Sequence, residues 1–186
     1  RLHGIPPSSV KNPDVKLKLY PRLSFTISIK GDIGMDYKIV EKESFKVIGK
    51  SIETKEMSPD ISKLWLDIWQ DGTGDKLCSL APEMPMLGIC YDVKDDETMK
   101  YMIGVESSAS DTELTELVIP KSTWAVFEST GPMPTAIQEV WKLIYSEFFP
   151  QGIYKHTGAP ELEVYPDGDT QSQDYRCEVW IPVVKT

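Results

Sequence analysis

Nine residues near the end of the chain, Tyr175–Val183, read Tyr-Arg-Cys-Glu-Val-Trp-Ile-Pro-Val, a strand-like apolar run with a carboxylate in its middle. Strand alternation sends Tyr175, Cys177, Val179 and Ile181 to one face and Arg176, Glu178 and Trp180 to the other. A carboxylate drawn away from water is costly unless a cation or hydrogen-bond donors compensate it, so Glu178 beside Trp180 is a candidate seat for a cationic ligand. The plainer reading is a solvated face, with Glu178 paired to a lysine on a neighbouring strand.

Five tryptophans and eight tyrosines can cage a cation or fill a core. Trp65 and Trp141 fall on the apolar stripes of two expected helices, where core packing competes with ligand contact. Trp69 and Tyr145 lie one turn further on, at the flank of each stripe, and are the better candidates for a cleft. Tyr91 ends one expected strand and Tyr101 starts its hairpin partner, so both join the candidate ligand-binding set. Nucleophilic triads find no support, because His156 is the one histidine of the body and His3 lies far from it. Cys78, Cys90 and Cys177 have neither metal-type spacing nor an even count for disulfides, so no metal and no cofactor is expected, and a reducing cytoplasm fits. The run Asp71-Gly72-Thr73-Gly74-Asp75 reads as a helix stop and turn; a phosphate loop would need a helix after it, and none is expected there. Asp167-Gly168 reads as a hairpin turn.

The elements that must position these residues repeat once. Tyr37–Glu41 and Phe45–Glu53 read as extended, as do Glu113–Ile119 and Trp124–Ser129. A helix is predicted near 58–70, where Ser58 caps and Pro59 opens the first turn, with Ile61, Leu64, Trp65 and Ile68 on one stripe. A second, near 134–148, carries Ile137, Val140, Trp141 and Ile144. Setting Phe45–Ile48 on Trp124–Phe127 needs an offset of 79, the helices 76, Leu87-Gly88-Ile89 on Leu162-Glu163-Val164 75, and Tyr101–Val105 on Tyr175–Val179 74. A drift in chain order is what small loop deletions in a duplicated β-α-β-β unit produce. The expected fold is α+β, two pseudo-symmetric units of about 35–107 and 112–184 with antiparallel strands and a central ligand cleft. In this reading the last strands meet near the centre, and Gly104, the counterpart of Glu178, leaves room beside the carboxylate.

Residues 1–30 hold six Lys or Arg against one acid, whereas residues 31–186 hold fourteen against twenty-eight, within a net charge of −9. An acidic body repels phosphate backbones and attracts cations. No apolar run approaches the ~18 residues of a membrane span, so no membrane partner is expected. Pro6-Pro7-Ser8-Ser9 and Asn12-Pro13-Asp14 mark an irregular linker, followed by a half-buried strand from Leu23 to Lys30.

Gly4-Ile5, Pro7-Ser8 and Leu17-Lys18-Leu19-Tyr20-Pro21-Arg22-Leu23-Ser24-Phe25 resemble the linker that follows the helix-turn-helix region of AraC-type transcription regulators. Tyr37–Glu43, Ile119–Phe127, Gly131-Pro132, Pro160–Pro166 and Tyr175–Val183 resemble the effector-binding, gyrase-inhibitor-like small-molecule-binding domain attached to many of them. The turn Pro150-Gln151-Gly152-Ile153-Tyr154 departs from the Ser-Gly-Tyr usual there. The resemblance implies residues 1–34 as linker and strand after a DNA-reading region that this sequence lacks, and residues 35–186 as a cytoplasmic effector-binding domain for an aromatic or cationic small molecule. It places Glu178 at the acidic ligand contact and implies DNA contact only through the helix-turn-helix region, leaving RNA polymerase contact and dimer formation open. It also carries an alternative, a stand-alone gyrase-inhibitor-like protein or a hydrolase with Glu178 as general base and Tyr91 or Tyr101 as proton donor.

Overall fold

The computed structural model describes residues 27–29, 36–56 and 58–186. Its elements run β1 (Ile27–Ile29), β2 (Tyr37–Lys42), β3 (Phe45–Lys55), α1 (Pro59–Gln70), α2 (Thr73–Leu80), β4 (Met86–Tyr91), β5 (Thr98–Glu106), β6 (Thr115–Ile119), β7 (Ser122–Thr130), α3 (Thr135–Leu143), β8 (Tyr154–His156), β9 (Glu161–Tyr165) and β10 (Arg176–Lys185). A π-helical turn, Ile144–Phe148, prolongs α3. Of the strand expected over Leu23–Lys30, the part described is β1; the rest, and the linker before it, lie outside the described residues.

The strands form one antiparallel sheet in the order β1-β2-β7-β10-β9-β4-β5-β3-β6, with β8 attached to β10. A pseudo-twofold passes between β9 and β4, relating β10 to β5 and β7 to β3. The first strand of each half is exchanged, β2 lying on β7 and β6 on β3. The last strands therefore do not meet. Their hairpin partners β4 and β9 occupy the centre, because β5 must lie between β4 and β3, as β10 lies between β9 and β7. Gly104 pairs with Gly49 and Leu87, where a Cβ would strike the Ile48 carbonyl oxygen at 2.5 Å, so this glycine serves close strand approach and does not face Glu178.

Two-residue links join β2 to β3 and β6 to β7, yet each pair stands six strands apart in the sheet. A flat sheet would set them about 29 Å apart, and such a link reaches about 11 Å. The sheet therefore curls. Its inner face encloses Val47, Leu87, Ile89, Met102, Ile119, Trp124, Val126 and Leu162, and Lys42 at the end of β2 reaches Glu106 at the end of β5 at 2.8 Å.

The other face carries the helices. Ile137, Val140 and Ile144 pack on Ala125, Phe127, Cys177, Val179 and Ile181, and Leu64 and Ile68 of α1 pack on Tyr101 and Ile103. Ser58 caps α1 by accepting from the Asp60 N–H at 3.2 Å, with Pro59 in the first turn as expected. Gly72, at φ +81°, stops α1 as its sequence predicts, but a helix does begin after it: α2 buries Leu77 and rests Ala81 against Ile48 and Val105. At eight residues its apolar signal is two positions, too few to read against two glycines. Among the described residues no helix is long and apolar enough to cross a membrane.

Candidate functional site

Register decides which side chains meet beneath the helices. Val179 pairs with Glu163, Glu163 with Gly88, and Gly88 with Ile103, so all four positions share the helix-covered face. Glu163 thus sits on the central strand pair, directly at the pseudo-twofold, between α1 and α3. Its Oε1 accepts from Trp141 Nε1 at 2.8 Å; its Oε2 accepts from the Tyr101 hydroxyl at 2.9 Å and the Tyr165 hydroxyl at 3.1 Å. The Tyr101 oxygen in turn accepts from Trp65 Nε1 at 3.0 Å. The Trp65 and Tyr165 rings meet edge to face at 5.1 Å.

Three donors on one carboxylate hold the ionised form, yet burial outweighs them and raises the Glu163 carboxyl above its ordinary value, with the Glu161 charge adding to the rise. Burial likewise raises the hydroxyls of Tyr101 and Tyr165, with the Glu163 charge the next cause. Glu163, Tyr165, Trp65 and Trp141 each keep part of their surface accessible. Glu163 is thus crowded by protein on most sides and still partly accessible.

A second carboxylate flanks it. Glu161, two positions earlier on the same face, accepts from the Tyr145 hydroxyl at 2.9 Å and lies 3.2 Å from His156 Nε2. Because His156 Nδ1 accepts from the Gly158 N–H, the neutral ring presents its Nε2–H to Glu161. Tyr145 stacks on Trp141 at 6.2 Å and leaves half its surface exposed. Cys90 pairs across strands with Glu161 and with Tyr101, and burial among these acids pushes its thiol well up.

The sequence-derived candidates divide between the two faces. Trp65, Tyr101 and Trp141 gather around Glu163, and Tyr145 joins through Glu161. Trp69 stays on α1 with half its surface exposed, its ring against Gly74. Glu178, Trp180 and Tyr91 lie on the inner face of the curl. There Glu178 Oε2 accepts from Trp180 Nε1 at 2.8 Å, the Trp180 ring meets Trp124 at 5.9 Å, and the Tyr91 hydroxyl bonds Ser51 Oγ at 2.8 Å. Glu178 stands opposite Val164 and Glu128, and among the described residues the side-chain donor it meets is the neutral indole of Trp180. The residue that pattern reasoning passed over is Glu163. Its signal was present: two carboxylates at Glu161 and Glu163 on one strand face, and Gly88 at the matching position of the first repeat. A surface depression of about 340 Å³, lined by Glu53, Thr54, Lys55, Ser58, Asp60 and Thr98, shares no residue with this cluster and has no aromatic wall. Among the described residues no group of three or more His, Cys, Asp or Glu is arranged to hold a metal ion.

The duplicated α+β sheet is the fold of an effector-binding domain. Residues 38–183 match the model of the Cass2 family, described as integron-associated effector binding protein, and the chain belongs to that family. It is similar to the structure of SAV2435 bound to tetraphenylphosphonium, with 26% identity, a TM-score of 0.74, and coverage of 81% of this chain and 94% of that one. It is also similar to a protein from Staphylococcus aureus MU50 described as acting in bacterial transcription regulation, with 28% identity, a TM-score of 0.68, and coverage of 81% and 99%. An integron cassette protein of Vibrio cholerae shares the fold at 20% identity and a TM-score of 0.61, over 80% of this chain and 95% of that one. No curated protein matches the chain.

Proposed function

We propose that the chain captures a lipophilic organic cation, with Glu163 as its counter-charge and Trp65, Trp141, Tyr101 and Tyr165 as the walls of the seat. The observation that carries this reading is a carboxylate at the centre of the fold that accepts from three neutral donors and forms no ion pair among the described residues. A unit charge ~4 Å away gains ~4 kcal/mol at an effective dielectric of ~20, before desolvation. Aromatic walls add ~0.5–2 kcal/mol through cation–π contact. Tetraphenylphosphonium, the ligand of SAV2435, is a cation of this kind: one diffuse positive charge inside an aromatic shell.

The walls of the seat hold one another, because Trp65 lies against Tyr165 and bonds Tyr101. Entry of a ligand parts these contacts, so ligand and protein exchange internal donors for an external charge. Joined to a DNA-reading region of the AraC type, as the linker-like residues 4–25 suggest, such an opening would bias a regulator between two states. A coupling of ~1–3 kcal/mol changes promoter affinity ~5–150-fold.

Calorimetric titration with tetraphenylphosphonium and with neutral triphenylphosphine oxide tests the site. The parent is expected to prefer the cation, and Glu163→Gln to lose on the order of 100-fold of that affinity. Equal binding of both compounds, unmoved by the substitution, would refute the cation seat. The regulatory reading stands or falls on the coding sequence upstream of Arg1, which must encode a helix-turn-helix region.

A further inference from the structure

The repeat carries its acid once. Gly88 occupies in the first half the position of Glu163 in the second, and the two are direct partners across the central strand pair. We infer that Gly88 is a positioning residue of the cation seat: the side chain it lacks is the space in which the Tyr101 hydroxyl meets Glu163. This rests on the reading of Glu163 as counter-charge, and it concerns what aims that group.

A Cβ built on Gly88 would lie 2.3 Å from the Tyr101 hydroxyl oxygen and 2.7 Å from Glu163 Oε2. Neither distance is tolerable, but the two neighbours differ in freedom. The Glu163 oxygen ends a side chain that can rotate. The Tyr101 hydroxyl ends a rigid ring on a buried strand, 1% exposed, and is tied to Trp65 of α1. Rotation of Glu163 relieves the second clash cheaply, whereas the first is relieved only by displacing the Tyr101 ring, so a side chain at position 88 removes one donor from Glu163 and the acceptor from Trp65 together.

The same geometry explains an asymmetry between the halves. Trp65 and Trp141 are equivalent helix residues, and both donate toward the dyad. Trp141 reaches a carboxylate directly, whereas Trp65 reaches the Tyr101 oxygen, which fills the place that a second acid at position 88 would take. Two carboxylates on facing positions of adjacent strands would each raise the other's pKa. Glycine and tyrosine supply an acceptor there without a second charge.

A double-substitution cycle of Gly88→Ala and Tyr101→Phe tests this in the full chain. Its thermal-stability arm needs no ligand, so a failure of this inference is separable from a failure of the cation reading. Gly88→Ala is expected to lower the melting temperature by at least about 3 °C more in the parent than in the Tyr101→Phe background, where the closest collision is gone. The Trp65 indole N–H resonance should move in the same direction in both single variants, since each removes its acceptor. Tetraphenylphosphonium affinity of the double variant should match that of Tyr101→Phe within about twofold, because both changes break one bond. If Gly88→Ala alone does not fold, recovery of folding by Tyr101→Phe supports the inference and no recovery overturns it. Equal melting losses in both backgrounds, or an unmoved Trp65 resonance in Gly88→Ala, would also overturn it.

Discussion

Each face of the sheet holds a strand carboxylate that accepts an indole N–H at 2.8 Å, Glu163 from Trp141 and Glu178 from Trp180. Their settings part there. Glu163 faces two helices, collects two further hydroxyls, and has its carboxyl raised by burial. Glu178 faces the curl, with one donor and another acid, Glu128, directly opposite. The difference teaches that the pattern of a strand does not by itself set the surroundings of the carboxylate it carries. What separates the two is the element above: helices α1 and α3 bring Trp65 and Trp141 to the Glu163 face from outside the sheet, whereas the aromatic neighbours of Glu178, Trp180 and Trp124, come from the sheet's own strands.

The largest expected contrast is in stability. Glu163→Ala strands three donors, that of Tyr101 buried and those of Trp141 and Tyr165 half-buried, and should cost about 2–4 kcal/mol in urea unfolding, while Glu178→Ala should cost less than about 1 kcal/mol. Similar losses at both positions would erase the distinction between the faces.

Trp141→Phe should come next, at about 1.5–3 kcal/mol, because its bond is to a charged acceptor; Trp65→Phe, whose acceptor is a neutral hydroxyl, should cost about 0.5–1.5 kcal/mol. Chemical denaturation of the two single variants checks this order. A reversed order would contradict the asymmetry of the halves.

A pH series sharpens the comparison further. Because the Glu163 carboxyl is raised by burial, the folded chain keeps its proton where the unfolded chain, near the ordinary value of ~4.3, has lost it. Its contribution to stability is therefore greatest in acid and is lost as pH climbs from that value through the raised one. Cation affinity runs the other way, rising by up to about tenfold per pH unit over the same window and levelling above it. The parent minus Glu163→Gln difference isolates this group from the other acids. A flat difference curve would mean that Glu163 does not titrate as the counter-charge.

The smallest effect belongs to Glu178→Gln, expected to change tetraphenylphosphonium affinity by less than about twofold in the calorimeter. A loss comparable with that of Glu163→Gln would move the seat to the inner face and return Glu178 to the role its strand suggested.

Much of the fold was legible. Ser58-Pro59 marked the start of α1, stripes of Ile, Leu and Trp marked both helices, and the drifting offset marked the duplication, since each of these is written in local spacing. Helix α2 was not, because eight residues with two buried positions carry little period. For the site, the sequence brought forward Trp65, Tyr101 and Trp141 as aromatic candidates and expected a glycine opposite a carboxylate at the dyad, with room for a ligand between them; the space at Gly88 is instead filled by the Tyr101 hydroxyl. The sequence attached that expectation to Gly104 and Glu178, whereas the central pair is Gly88 and Glu163.

The sequence by itself determined that the chain is a duplicated α+β unit with an acidic body and aromatic helix stripes, because hydrophobic period and repeat offset are properties of neighbours along the chain. Only the tertiary structure decided which carboxylate is at the centre. That choice depends on strand order, set by the exchange of β2 and β6 between the halves and by the curl that two-residue links impose. Pairing across a sheet joins residues about 75 positions apart, a relation on which alternation within either strand has no bearing.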